Sequence, residues 1–194
     1  MTSFFLIQPD PIILASASTA RKALLDDVGI QTIVIPFDGD EATEGPLDAL
    51  GRAQKKACAV SHDHRDHWVI GADQICHLNG TVFHQPKTVS NAIAALMQLQ
   101  GATHELMTSV ALFKGGACVW HDTHTVSLTM KPLSLATITH YVYTDRPLNS
   151  CGAYRFESMG IHLFESVSHD KATIQGLPIV ALMNALHEVG AVSI

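Results

Sequence analysis

The chain has 194 residues, the length of one domain or of one domain with two lobes. Hydrophobic residues make up 47% of it and charged residues 15%, which leaves enough apolar surface for a globular core. The formal net charge of −6 argues against a general nucleic-acid binder, which would show a basic stripe. No apolar run approaches the roughly 20 residues that a membrane span needs, so we expect neither a nucleic-acid nor a membrane partner.

The N-terminal segment and the cysteine pattern are both typical of a cytoplasmic protein. The N-terminal segment MTSFFLIQPDP lacks the basic region of a signal peptide. The four cysteines are scattered and form no CxxC pair. We therefore expect reduced thiols in a cytoplasmic protein, without a structural zinc.

The hydrophobic pattern predicts strands interleaved with helices in a single domain, 1–194, with a short N-terminal extension at 1–10. The predicted elements in chain order are strand Ile12–Ala15, helix Ala20–Val28, strand Thr32–Ile35, helix Leu47–Val60, strand Trp68–Ala72, hairpin Ile75–Leu78 with Thr81–Phe83, a helix capped by Thr88 or Ser90 and ending at Leu99, hairpin Glu105–Phe113 with Ala117–Met130, helix Leu135–Tyr143, strand Ile161–Ser166 and helix Ile179–Val189. Asn79-Gly80 is the strongest turn signal, because these residues accept the positive φ of a type I′ turn. Helices together with hairpins predict a mixed-sheet α/β fold rather than a purely doubly wound one.

The segment Ile12–Leu25 carries the first chemical signal. A short apolar run ends at Ser16 and Ser18, and the basic pair Arg21-Lys22 follows at the start of a helix. A helix N-terminus points backbone N–H groups and a positive dipole end at the preceding turn, and two cations there oppose that dipole unless an anion binds. The alternative is an ordinary strand–turn–helix with a solvated Arg-Lys pair.

Acidic residues supply the second signal. Asp73 follows an apolar strand, where ligands bind in α/β sheets, and it could hold a divalent cation or take a proton from an attacking water. Asp38, Asp40 and Glu41 follow the second strand and would make a magnesium site if they converged with Asp73. The alternatives are a capping aspartate and a solvated acidic loop. Glu157 could read a base edge, although lone glutamates are usually exposed.

The histidines do not indicate a metal site. His62, His64 and His67 have neither HExxH nor zinc-finger spacing. A solvated loop between a helix and a strand is the favoured interpretation of this segment.

These motifs occur in the order found in the Maf nucleotide pyrophosphatases, and the chain resembles that family from about Ile12 to Gly190. Three features resemble the branch associated with 7-methyl-GTP: Gln74 directly after Asp73, Glu157, and the run MGIHLFE. The branch associated with dTTP and UTP has Thr after the aspartate and Gln in the later segment. The segments that carry the family resemblance are LASAS with RKALL, QKKA, GADQ, NGTVFHQPK, GATHELMTSVAL, CGAY and IQGLP.

The resemblance implies a Maf/ITPase-like mixed-sheet fold with two lobes around a central cleft. It also implies hydrolysis of a nucleoside triphosphate to a monophosphate and pyrophosphate with a divalent metal, Mg or Mn, and it hints at a homodimer. By position, Asp73 matches the proton acceptor, and metal binding would fall to Asp73 and Glu41. The expected phosphate-binding residues are Ser16, Arg21, Lys22, Lys56 and Lys87, and the expected base-preference residues are Ala20, Gln74 and Glu157.

The chain departs from the family pattern at three positions. Thr19 stands where the family has Pro, and Ala20 where the 7-methyl-GTP branch has an aromatic residue. Gln85 replaces the lysine that precedes Pro, and Lys87 lies two residues later, about 6–7 Å along an extended chain. These changes predict reduced activity. They leave open two alternatives, a dTTP/UTP pyrophosphatase and a catalytically impaired nucleotide-binding protein.

Overall fold

The computed structural model describes residues 5–39, 45–168 and 170–194. In this part of the chain, the strands are β1 (Ile12–Leu14), β2 (Thr32–Val34), β3 (Trp68–Leu78), β4 (Thr81–Phe83), β5 (Thr103–Lys114), β6 (Ala117–Met130) and β7 (Phe164–Val167). The α-helices are α1 (Thr19–Asp27), α2 (Ala49–Asp63), α3 (Val89–Leu99), α4 (Leu135–Asp145), α5 (Lys171–Ile174) and α6 (Ile179–Glu188). No helix in the described ranges combines the length and the apolar character needed to span a membrane.

The strands pair in the order β2-β1-β3-β5-β6-β7, with β4 also paired to β3. β1 runs parallel to β2 and β3, whereas β4 is antiparallel to β3 and β7 is antiparallel to β6. This combination confirms the predicted mixed-sheet α/β fold. The turn between β3 and β4 has positive φ at both Asn79 and Gly80, as the predicted hairpin requires.

Three sequence predictions about element bounds are wrong. The predicted strands Trp68–Ala72 and Ile75–Leu78 form one strand, β3, so Asp73 lies inside a strand rather than after its end. Backbone pairing with neighbouring strands continues past the polar residues, which a local hydrophobic pattern does not reveal. α2 extends to Asp63 and therefore includes His62, which was predicted to lie in a loop. The predicted strand Ile161–Ser166 begins only at Phe164, after a 3₁₀ turn at Met159–Leu163.

The chain forms two compact units; three of the four boundaries fall inside β3, β5 and β6, and the fourth lies between α5 and α6. Unit 1 comprises residues 1–73, 109–123 and 176–194, and unit 2 comprises 74–108 and 124–175. In unit 1, Ile12 and Leu14 of β1 pack with α1 and α6 residues, whereas Ile13 packs with α2 residues. Successive side chains of a strand point to opposite faces, so helices cover both faces of this part of the sheet.

Unit 2 has its own core around an aromatic cluster. The imidazole Nε2 of His104 is hydrogen-bonded to the hydroxyl of Tyr154 at 2.9 Å, and both rings lie against Phe164. Burial, with a smaller contribution from nearby His77, lowers the pKa of His104 from 6.5 to about 4. His104 is therefore a neutral core histidine at physiological pH.

Candidate functional site

Gly71 allows helix α2 to approach strand β3 closely, two residues before Asp73. A Cβ atom added to Gly71 would lie 2.2 Å from the carbonyl oxygen of Ala53 and 2.7 Å from the Cβ of Ala57, both on α2. Only glycine permits this approach. Asp73 lies two residues further along β3 and therefore shares the face that α2 covers.

The close approach allows α2 to surround the Asp73 carboxylate with cations. Lys56 Nζ donates to Asp73 Oδ1 at 2.7 Å, and both residues are only 8% exposed. Arg52 lies one helical turn before Lys56, and its Nη1 is 3.9 Å from Asp73 Oδ2. A buried charge is costly unless it is paired, so the positions of Lys56 and Asp73 depend on each other. The site therefore contains a largely buried carboxylate with two cationic side chains beside it.

The turn between β1 and α1 has the predicted strand–turn–helix form. Ser18 caps α1, because its Oγ accepts a hydrogen bond from the backbone N–H of Arg21 at 3.3 Å. Ser16 is buried, and its Oγ accepts from Ser18 N at 3.3 Å and from Arg21 Nη1 at 3.0 Å. Ser16 and Arg21, both predicted to contact phosphate, are thus in direct contact with each other.

Arg21 connects this turn to the strand that carries Asp73. Its Nη1 donates to the carbonyl oxygen of Ala72 at 3.0 Å, and its Nε donates to that of Gly176 at 3.0 Å. Gly176 has a φ of +107°, and an added Cβ would lie 3.0 Å from Arg21 Nε. Arg21 therefore orders the backbone next to Asp73, and its contact with phosphate stays a prediction.

The two remaining residues of the first motif lie on α1. Lys22 forms an i,i+4 ion pair with Asp26, and its side chain is 36% exposed. Ala20 is half-buried in the first turn of the helix, a turn without an acidic residue. The ion pair gives Lys22 a partner other than phosphate, so its predicted role is not supported by this geometry and stays a prediction.

Of the carboxylates predicted to bind a metal, Asp38 and Asp73 lie in the described residues. Glu41, the predicted partner of Asp73, lies outside the described ranges. Within those ranges no group of three histidine, cysteine, aspartate or glutamate side chains could hold a metal ion. Magnesium is commonly bound by one or two carboxylates together with substrate phosphates, so the donor chemistry of Asp73 fits a cation that arrives with a nucleotide.

The side-chain amide of Gln74 is hydrogen-bonded to other residues of unit 2. Its Nε2 lies 2.8 Å from Thr108 Oγ1, 3.0 Å from the carbonyl oxygen of Ile174 and 3.3 Å from that of Thr173. The thiol of Cys151 donates to its Oε1 at 3.5 Å. The amide therefore has protein partners for its donors as well as its acceptor, and the predicted contact of Gln74 with a base stays a prediction.

Glu157 is exposed and has a cationic neighbour. Arg155 Nε lies 3.3 Å from Glu157 Oε1, and Arg155 Nη1 lies 3.7 Å from the buried carboxylate of Asp145. The sequence analysis did not consider Arg155. Its position two residues before Glu157 is the signal that would have revealed the pair.

Gln85 and Lys87 form one polar group in unit 2. The ammonium of Lys87 donates to Gln85 Oε1, and Lys87 has a φ of +63°. In an extended chain, residues 85 and 87 would be separated by about 6–7 Å. The left-handed backbone at Lys87 turns the chain back, and its long side chain brings the charge to the amide. A cation therefore lies beside the side chain of Gln85, the residue that replaces the family lysine, and its contact with phosphate stays a prediction.

Arg52 is the site residue that the sequence analysis missed. Its position four residues before Lys56 puts both cations on one helix face, which was the available signal. The sequence does not show that this helix face covers Asp73. It therefore offers no reason to choose Arg52 over Lys55 or another cation.

The fold is shared with proteins of known structure. The chain superposes on the Ham1 protein of Staphylococcus aureus with a TM-score of 0.52 at 15% sequence identity, over 93% of this chain and 100% of that one. At this sequence identity the likeness shows the fold alone.

Sequence comparison identifies the family. The family model described as Maf-like protein matches residues 11–189, and the chain belongs to this family. A nucleoside triphosphate pyrophosphatase of Legionella pneumophila is 35% identical over 97% of this chain and 98% of that protein. A 7-methyl-GTP pyrophosphatase of Rhizobium johnstonii is 37% identical over 93% of this chain and 97% of that protein.

Proposed function

We propose that this protein is a nucleoside triphosphate pyrophosphatase that hydrolyses the α–β phosphoanhydride to a nucleoside monophosphate and pyrophosphate. The observation that carries the proposal is the buried Lys56–Asp73 pair at 2.7 Å, with Arg52 beside it, in a Maf-family chain. The relatives named as pyrophosphatases support the same activity. Phosphoryl transfer relies mainly on positioning and on electrostatic stabilisation, and this cluster supplies both a base and cations.

In the proposed reaction, Asp73 takes a proton from water. The water oxygen forms a new bond to phosphorus, the α–β phosphoanhydride bond breaks, and pyrophosphate leaves. Lys56 neutralises phosphate oxygens, and Ser16 and Arg21 hold the backbone beside Asp73 in place. A divalent cation bound at Asp73 would supply further neutralisation of the phosphate charge.

We further propose that the substrate is 7-methyl-GTP or another modified nucleotide. An ionised Glu157 can accept hydrogen bonds from the N–H groups of a guanine edge, and its charge favours a methylated, cationic base. Gln74 and Glu157 match the 7-methyl-GTP branch by position, and a relative of that name supports the proposal. Ala20 supplies no aromatic ring, so the cation–π stabilisation of about 0.5–2 kcal/mol is absent at this position. We therefore expect a preference weaker than an aromatic residue would give.

The test is pyrophosphate release from a panel of nucleotides with magnesium or manganese. We expect 7-methyl-GTP to exceed dTTP and UTP in kcat/KM. Asp73→Asn preserves the shape and removes the charge and the basicity, so we expect turnover to fall by about 10²–10⁴-fold. A panel without any pyrophosphate release would contradict the enzyme proposal and favour the impaired nucleotide-binding protein. Best activity on dTTP and UTP would contradict the substrate proposal alone.

A further inference from the structure

Arg52 is an arginine whose donors are poorly satisfied in the described part of the chain. Its side chain is only 18% exposed. Its Nη2 donates to the carbonyl oxygen of Pro46 at 3.4 Å, and its Nη1 lies 3.9 Å from Asp73 Oδ2, beyond hydrogen-bond distance. Its Nε is buried and has no hydrogen-bond partner among the described residues. A guanidinium presents a planar fork of N–H donors, and most of this fork is unused.

The other two cations of the site, Arg21 and Lys56, have close hydrogen-bond acceptors in the protein. Arg21 makes three hydrogen bonds of 3.0 Å to protein acceptors, and Lys56 donates to Asp73 Oδ1 at 2.7 Å. A buried donor without a partner costs about 1–3 kcal/mol, and more when it is charged. The free protein therefore holds Arg52 in an unfavourable position that an anion would relieve.

We infer that Arg52 is a phosphate-binding residue of the site, and that it takes a phosphate group of the nucleotide or of the pyrophosphate product. The inference rests on the proposed function for the identity of the anion. The guanidinium fork matches phosphate oxygens in a bidentate manner. Lys56 occupies Oδ1 of Asp73, whereas Arg52 lies beside Oδ2. A phosphate held by Arg52 thus lies next to the less engaged oxygen of the proton acceptor.

The experiment uses inorganic pyrophosphate as the probe, with calorimetry and thermal unfolding on the intact chain. Arg52→Met preserves much of the side-chain length and removes the charge, and Arg65→Met is the matched control, since Arg65 is exposed and lies just beyond α2. We expect Arg52→Met to weaken pyrophosphate binding about tenfold or more and to raise the KM for nucleotides similarly, because charge-assisted hydrogen bonds are lost. We expect Arg65→Met to bind like the unmodified protein.

Thermal stability separates binding from a structural role. Because Arg52 is poorly satisfied in the free protein, Arg52→Met should leave the Tm without ligand unchanged or raise it, and should reduce the Tm increase that pyrophosphate produces. A marked fall in the Tm without ligand would instead identify Arg52 as a structural partner of Asp73 and overturn the inference. Arg52→Lys keeps the charge without the fork, so we expect intermediate binding.

The outcomes distinguish this inference from the proposed function. If the unmodified protein releases pyrophosphate from nucleotides and Arg52→Met binds pyrophosphate within twofold of it, the inference alone is wrong. If the unmodified protein neither hydrolyses nucleotides nor binds pyrophosphate, both are wrong.

Discussion

Gly71→Ala tests whether the close approach of α2 to β3 creates the site. The new Cβ would lie 2.2 Å from the carbonyl oxygen of Ala53, whereas real Cβ atoms essentially never come closer than 3.0 Å to such a neighbour. The difference is 0.8 Å, and the atom in the way belongs to the α2 backbone and cannot rotate aside. Helix α2 must therefore retreat from the strand by roughly this distance.

The retreat acts directly on the Lys56–Asp73 contact. A separation of 2.7 Å would increase to roughly 3.5 Å, which is no longer a normal hydrogen bond. Overpacking of this kind costs about 1–3 kcal/mol of stability. A misplacement of about 1 Å at a reacting group can cost up to about 10²-fold in rate, and we expect kcat to fall at least about tenfold.

The assays are urea unfolding and pyrophosphate release. Gly45→Ala is the matched control, because Gly45 lies in the same unit and no atom of the described residues lies within 4 Å of its added Cβ. It should change neither quantity. A Gly71→Ala protein with the stability and the kcat of the unmodified chain would refute the reasoning that Gly71 positions Lys56 against Asp73.

Three further predictions concern unit 2. Lys87→Met should lower kcat on all nucleotides about tenfold, because the cation beside Gln85 is lost. Adding Gln85→Lys to this variant should restore kcat, because a lysine at position 85 can place a cation at the same point. A double variant as slow as Lys87→Met would contradict this prediction. Glu157→Gln should lower kcat/KM for 7-methyl-GTP relative to GTP by only about two- to fivefold, because Glu157 is exposed; an unchanged ratio would remove it from the base site. Since the pKa of His104 falls from 6.5 to about 4 on folding, only the unfolded chain takes up a proton between those values, so stability falls as the pH drops through that range. The shift corresponds to a loss on the order of 3 kcal/mol, and urea unfolding of His104→Gln should show a flatter pH profile than the unmodified protein.

Local chemistry explains which sequence predictions were confirmed. Thr88, one of the two predicted candidates, caps α3, since a cap depends on a side chain and the next few backbone N–H groups. The Asn79-Gly80 turn also depends only on its own residues. These features need no knowledge of distant parts of the chain.

The position of Asp73 within its strand could not be predicted from the local sequence. Its sequence neighbourhood indicated a residue after a strand, but the strand continues through it, because the pairing partners of β3 come from distant segments. Arg52 was missed for a related reason. Its Nε lacks a partner among the described residues because the fold buries it beside Asp73, which lies 21 residues further along the chain.

The sequence by itself narrowed the cap of α3 to Thr88 or Ser90 and determined the hairpin turn, the helix-strand alternation and the ordered motifs that indicate the family, because each depends on a short stretch of chain. Only the tertiary structure decided which cations surround Asp73 and which already have protein partners. Arg21 and Arg52 are both arginines near the start of a helix, yet Arg21 makes three hydrogen bonds of 3.0 Å, whereas Arg52 makes one of 3.4 Å and its buried Nε has no partner among the described residues. That difference arises from the approach of α2 to β3 at Gly71 and from the carbonyl oxygens that Ala72 and Gly176 present, which are properties of packing rather than of local pattern.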